Sequence, residues 1–77
     1  MTPKHGSNRE RWILYQRAYK AARKIAQDDK VEMVIVEAPD DDTGEQAFEY
    51  CPAAAVHILY GHYMRSGLAR IVEHVRV

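Results

Sequence analysis

Cysteine is almost missing from this 77-residue chain. Cys51 stands alone, so no intrachain disulfide can form and the fold must rest on its apolar core. That usage fits a reducing compartment, and the cytoplasm is the expected location. Long apolar runs are missing as well. Met33 to Val36 and Pro52 to Val56 fall far short of the ~20 residues that span a bilayer, and Met1 to Gly6 contains no apolar signal-type stretch. Neither a membrane span nor a secretion signal is expected. Bases are missing from one whole segment: residues 31 to 50 hold seven Asp/Glu and no Lys or Arg.

That last absence reveals a polarity that the neutral total conceals. Residues 1 to 30 carry eight Lys/Arg against three Asp/Glu, and residues 51 to 77 carry three Arg against one Glu. The segment charges of +5, −7 and +2 cancel, yet the basic and acidic segments can each project a local field. With 47% apolar residues the chain is too rich in core formers to be disordered. Its length suits one domain near the lower limit for a single core. Residues 1–6 read as a mobile N-terminus and residues 7–77 as the domain.

Catalytic and metal motifs are also lacking. His5, His57, His62 and His74, with Cys51, are the only transition-metal ligands of the softer type, and their spacings match no zinc pattern. His57 and His62 are five apart, where a helix would need four. Aligning Gly44 with the glycine of a calcium-binding loop puts Pro39 where the first carboxylate belongs. A Cys51–His57 nucleophile pair has no third group to orient it. The expectation is a protein with no catalytic residues, no metal and no cofactor.

The elements follow from periodicity. Ser7-Asn8-Arg9-Glu10 matches a capping box, so a helix should begin there and run to Gln27-Asp28-Asp29. Leu14, Ala18, Ala21, Ala22 and Ile25 form its apolar face. Trp12, Tyr15 and Tyr19 form an aromatic shoulder, and Arg17, Lys20, Arg23 and Lys24 a basic back. Val31 to Ala38 is dense in β-branched residues, with apolar side chains at both parities, as in a central strand covered on two faces. Asp40 to Glu45 has hairpin-turn chemistry, with Gly44 free to adopt a positive φ. Gln46 to Cys51 follows as a strand with Phe48 and Tyr50 on one side and Glu49 on the other.

Pro52 suits the first turn of a second helix, which should stop at Ser66 with Gly67 beyond its end. Val56, Leu59, Tyr60 and Tyr63 share one stripe, and Ile58 adds apolar surface elsewhere, so this helix should sit deep or in an interface. Leu68 to Val77 alternates as a third strand, with Ile71, Val75 and Val77 on one face and Arg70, His74 and Arg76 on the other. The expected fold is α+β in the order α-β-β-α-β: a three-stranded, mainly antiparallel sheet with two helices packed on it. The edge of the last strand offers a route to a homodimer.

Two surfaces are candidates for function. Glu37, Asp40, Asp41, Asp42, Glu45 and Glu49 could present spaced carboxylates to a basic surface on a protein partner. An ordinary solvated hairpin turn is the plain alternative. Arg9, Arg11, Arg17, Lys20, Arg23 and Lys24 could contact nucleic-acid phosphates, with Trp12 or Tyr15 stacking on a base. Against that stand the acidic segment, which would repel the same phosphates, and the plain reading of a solvated helix back.

The favoured expectation is a small binding protein that blocks a partner's working surface. Trp12, Tyr15, Tyr19, Tyr60, Tyr63 and Arg65 are of the types enriched in interface hot spots. In size and lack of chemistry the chain is similar in general type to small accessory proteins carried by bacteriophages, such as inhibitors of host defence complexes. That likeness of kind implies steric inhibition of a defence or nucleic-acid-processing complex.

Overall fold

A computed structural model describes residues 8–40 and 42–77. The expected capping residue Ser7, the N-terminal six residues and Asp41 lie outside the described residues. The element order is α1 (Asn8–Asp29), β1 (Met33–Pro39), β2 (Gln46–Pro52), a single 3-10 turn (Ala53–Ala55), α2 (Val56–Arg65) and β3 (Arg70–Val75). The sheet order is β2-β1-β3, and both pairings are antiparallel. This is the expected α+β arrangement, with the β-branched segment at its centre.

The core is divided in two by β1. Met33 and Ile35 pack with Ala18, Ala22 and Ala26 of α1 and with Val75, while Val34, Val36 and Ala38 pack with Cys51, Val56 and Ala69 on the α2 side. Each helix therefore covers one face of the sheet. Alternation along a strand sends neighbouring side chains to opposite faces, so a strand apolar at both parities must be covered twice. The small side chains of Ala18, Ala22 and Ala26 allow α1 to lie close on the sheet.

The buried stripe of α1 differs from the expected one. Tyr15, Tyr19 and Ile25 flank the three alanines, while Leu14 is 46% exposed and Trp12 60%. Arg11 shares the inward side because it stands seven residues, or two turns, before Ala18. The second helix is also less enclosed than its composition suggests. It buries Val56 and Gly61 and packs Tyr60, Tyr63 and Met64, but leaves Ile58 and Leu59 exposed.

The turns have clear local causes. Asp40 N–H donates to the Glu45 carbonyl (2.7 Å) and Gly44 N–H to the Asp40 carbonyl (2.8 Å), with Gly44 at φ +74°. The Asp40 carboxylate accepts from the N–H groups of Asp42 and Thr43, an Asx turn that holds the hairpin end. At the end of α2, Gly67 adopts φ +80° and donates to the Met64 carbonyl, and Leu68 N–H donates to that of Tyr63. These are the two bonds of a Schellman cap, which stops the helix where Gly67 predicts.

β3 corrects the expected alternation. Ile35 pairs with Glu73 and Val36 with Ile71, so Val72 is an extra residue, a β-bulge. The bulge resets the parity. Ile71 packs on the α2 side while Val72 and Val75 pack on the α1 side, so Ile71 and Val75 do not share a face. Arg70 and His74 are split in the same way: Arg70 reaches Glu37 and His74 reaches Glu32.

Candidate functional site

The structure separates the five described acidic candidates into three groups. Glu37 stands two residues after Ile35 and shares the α1 side of β1. Its carboxylate accepts hydrogen bonds from Arg11 of α1 and, at 3.2 Å, from Arg70 of β3. Burial alone would raise its pKa, but the two guanidiniums outweigh burial and hold the carboxyl below its ordinary range. Arg11 also lies over the Phe48 ring, 5.3 Å from its centroid. Thus one expected partner-binding acid and one expected nucleic-acid-binding base meet each other inside the molecule.

Asp40, Asp42 and Glu45 remain together at the hairpin end, where Asp42 and Glu45 are exposed and Asp40 is half-buried. Glu49 pairs in register with Val36 and so lies on the α2 side of the sheet. There it lines a hollow of roughly 290 Å³ with Pro39, Leu59, Tyr60 and Tyr63. Pro39 joins this hollow directly to Asp40. The acidic hairpin end therefore follows directly on a residue that lines an apolar and aromatic depression, a connection that spacing alone does not reveal.

The basic candidates divide differently. Arg9, Arg17, Lys20, Arg23 and Lys24 are all exposed on α1, away from its alanine stripe. Lys24 pairs with Asp28 one turn on (3.0 Å). The aromatic shoulder does not accompany them outward. Tyr15 makes an edge contact with Phe48 at 5.6 Å between ring centroids and donates from its hydroxyl to Glu73 (3.2 Å). Burial first, and then the Glu73 charge, push the Tyr15 pKa up. Trp12 is the exposed aromatic of the three, with its ring stacked 6.3 Å from that of Tyr15.

The remaining titratable groups are dispersed. Cys51 is buried in β2, and burial raises its thiol pKa, which disfavours the thiolate. His57 is exposed on α2, so the two do not form a shared solvent-facing site. His74 meets Glu32 at 2.8 Å on the sheet surface. Among the described residues no group of three or more His, Cys, Asp or Glu could hold a metal ion, and no helix is long and apolar enough to cross a membrane. Compared with protein-family models, curated proteins and solved structures, the chain matches none.

Proposed function

We propose that this protein is a non-catalytic binding domain that docks a protein partner through the acidic hairpin end and the adjoining α2-side hollow, and blocks the partner's working surface. One observation carries this reading: Pro39, which leads directly into Asp40 of the acidic hairpin end, lines a depression together with Glu49, Leu59, Tyr60 and Tyr63. Charge steers encounter and sets orientation, while aromatic and aliphatic side chains in a concave patch supply contact area. The complementary surface is a basic one with a protruding apolar side chain. In the phage-type version of this reading, that surface belongs to a host defence or nucleic-acid-processing complex, whose phosphate-binding groove the carboxylates occupy.

The test is capture by the tagged protein from its native lysate, with and without nuclease, using Asp40→Asn, Asp41→Asn and Asp42→Asn together and, separately, Leu59→Ala. Asn at position 40 keeps the side-chain oxygen that holds the turn, so the fold is preserved. A stoichiometric, nuclease-resistant partner, with capture weakened in both variants and at higher salt, supports docking here. Unchanged capture by both variants removes it.

A second reading is favoured by the five outward cations of α1, which suit the phosphates of a nucleic acid. It expects a mobility shift on DNA or RNA that disappears when Arg17, Lys20 and Lys24 are changed to Glu. Absence of any shift with the unmutated protein ends it.

A further inference from the structure

The two edges of the sheet are guarded unequally. On β3 the bulge at Val72 interrupts the ladder, and Arg70, Glu73 and His74 are exposed, with Arg76 just beyond the strand. These are the devices by which natural sheets discourage edge pairing. β2 has neither bulge nor base. Its only charged residue is Glu49, and its only proline is Pro52 at the end. The edge expected from the sequence to pair, β3, is therefore the protected one.

The free edge of β2 has a definite hydrogen-bonding phase. Asp40 N–H donates to the Glu45 carbonyl at one end of the hairpin ladder, and Ala53 N–H donates to the Glu32 carbonyl at the other. Antiparallel pairs alternate between hydrogen-bonded and non-hydrogen-bonded, and both ends give the same phase. Ala47, Glu49 and Cys51 accordingly address β1, while Gln46, Phe48 and Tyr50 turn their N–H and C=O groups to the open side. Above that edge, between β2 and α1, runs a groove of roughly 320 Å³ lined by Leu14, Arg17, Ala18, Ala21, Phe48 and Tyr50. Leu14 is 46% exposed and Tyr50 41%.

We propose that β2 pairs antiparallel with β2 of a second copy of this chain, about a twofold axis at Phe48, to form a continuous six-stranded sheet. Three features favour a second copy as the occupant. The open backbone groups are symmetric about Phe48: Phe48 meets Phe48, Gln46 meets Tyr50 and Tyr50 meets Gln46, each pair exchanging both hydrogen bonds. Moving the axis to Glu49 would place like charges directly opposite and bring in Pro52, which has no N–H to give. The axis at Phe48 sets Glu49 opposite Ala47 instead.

The third feature is charge. Arg17 rims the groove beside Tyr50, and the antiparallel register brings the Gln46 end of the second copy, which continues into the acidic hairpin turn, toward that basic rim. This approach of oppositely charged regions occurs twice by symmetry. Within one chain, Glu45 and Tyr50 are five residues apart on an extended strand, roughly 17 Å. The basic and acidic segments of the sequence thus complement each other between copies. The inference does not depend on the docking reading above.

The experiment combines solution mass with register-specific crosslinking. Light scattering at about 100 μM should give twice the 8.9 kDa chain mass. Leu14→Glu, at an exposed position, should return the mass to monomer with an unchanged circular dichroism spectrum. Ala47→Cys and Glu49→Cys chains are then mixed under mild oxidation. Residues 47 and 49 form a non-hydrogen-bonded pair in the proposed register, about 4.5 Å apart at Cα, within disulfide range. A disulfide-linked dimer that forms from the mixture, and not from either variant alone, supports the register. A monomer at every concentration overturns the proposal, leaving the edge open to a foreign strand. A dimer that ignores Leu14→Glu and gives no mixed disulfide overturns it too.

Discussion

Arg11 of α1 and Glu37 of β1 meet across the helix–sheet interface as a half-buried ion pair, and Arg70 of β3 joins them from the other side. One carboxylate therefore ties together the first helix, the central strand and the last strand.

Glu37→Gln should destabilise the fold by roughly 2 kcal/mol, the scale of a hydrogen-bonded charge removed from a partly enclosed site. The pH dependence has a definite sign. The folded carboxyl titrates below its unfolded value, so its contribution is complete above the ordinary carboxylate range and is lost as pH falls through the folded value. Denaturant unfolding at neutral and acid pH should show the variant losing less stability on acidification than the parent.

Tyr15 gives the opposite signature. Its hydroxyl titrates above the ordinary tyrosine value in the folded state, so its contribution is present below that value and is lost as pH rises through the folded one. Tyr15→Phe should leave neutral stability within about 1 kcal/mol, the net worth of an exposed hydrogen bond. It should also reduce the alkaline loss measured by the same unfolding assay.

Two residues with positive φ should respond in opposite directions. Lys30 follows α1 at φ 57°, where glycine is preferred, so Lys30→Gly should stabilise by about 0.5–1 kcal/mol. Gly44 at φ 74° has open space where a Cβ would stand, so Gly44→Ala incurs only backbone strain, about 1–2 kcal/mol. Thermal melting of both variants checks the pair, and a stabilised Gly44→Ala would contradict the turn geometry.

Cys51 should resist alkylation while the protein is folded. The residue is 4% exposed and its thiolate disfavoured, so labelling at neutral pH should be slow and become fast in denaturant. Rapid labelling of the folded protein would contradict its burial in the α2-side core.

Much of the architecture is legible in the residues. The two-parity apolar run of β1 and the glycines at 44 and 67 each have one dominant physical meaning, and the structure follows them. The pairing of Arg11 with Glu37 was available in principle, since Arg11 keeps the helical phase of Ala18 and Glu37 the strand parity of Ile35. Charge concealed it, because charged residues ordinarily face water. The exposure of Leu14, Ile58 and Leu59 was not legible, since it depends on how each helix is turned and tilted across a narrow sheet. Nor was the bulge at Val72, which has no marker such as glycine and sends Ile71 and Val75 to different sides. The hollow beside the acidic turn depends on β2 and α2 meeting, a long-range event with no local pattern.

The double-sided burial of β1 has a consequence for how the strand finds its place. In a sheet with one wet face, sliding by a residue exposes the apolar set and is rejected by water. Here both faces are dry, so Met33 to Val36 could shift by one position and remain in contact with apolar neighbours. Hydrophobicity supplies little error correction along this strand. Glu37, the one charged residue of β1, reaches Arg11 and Arg70 only in the observed alignment, and the Gly44 turn fixes the same alignment from the hairpin end. The carboxylate is thus a registration mark, whose removal should broaden the set of packed states as well as lower their stability.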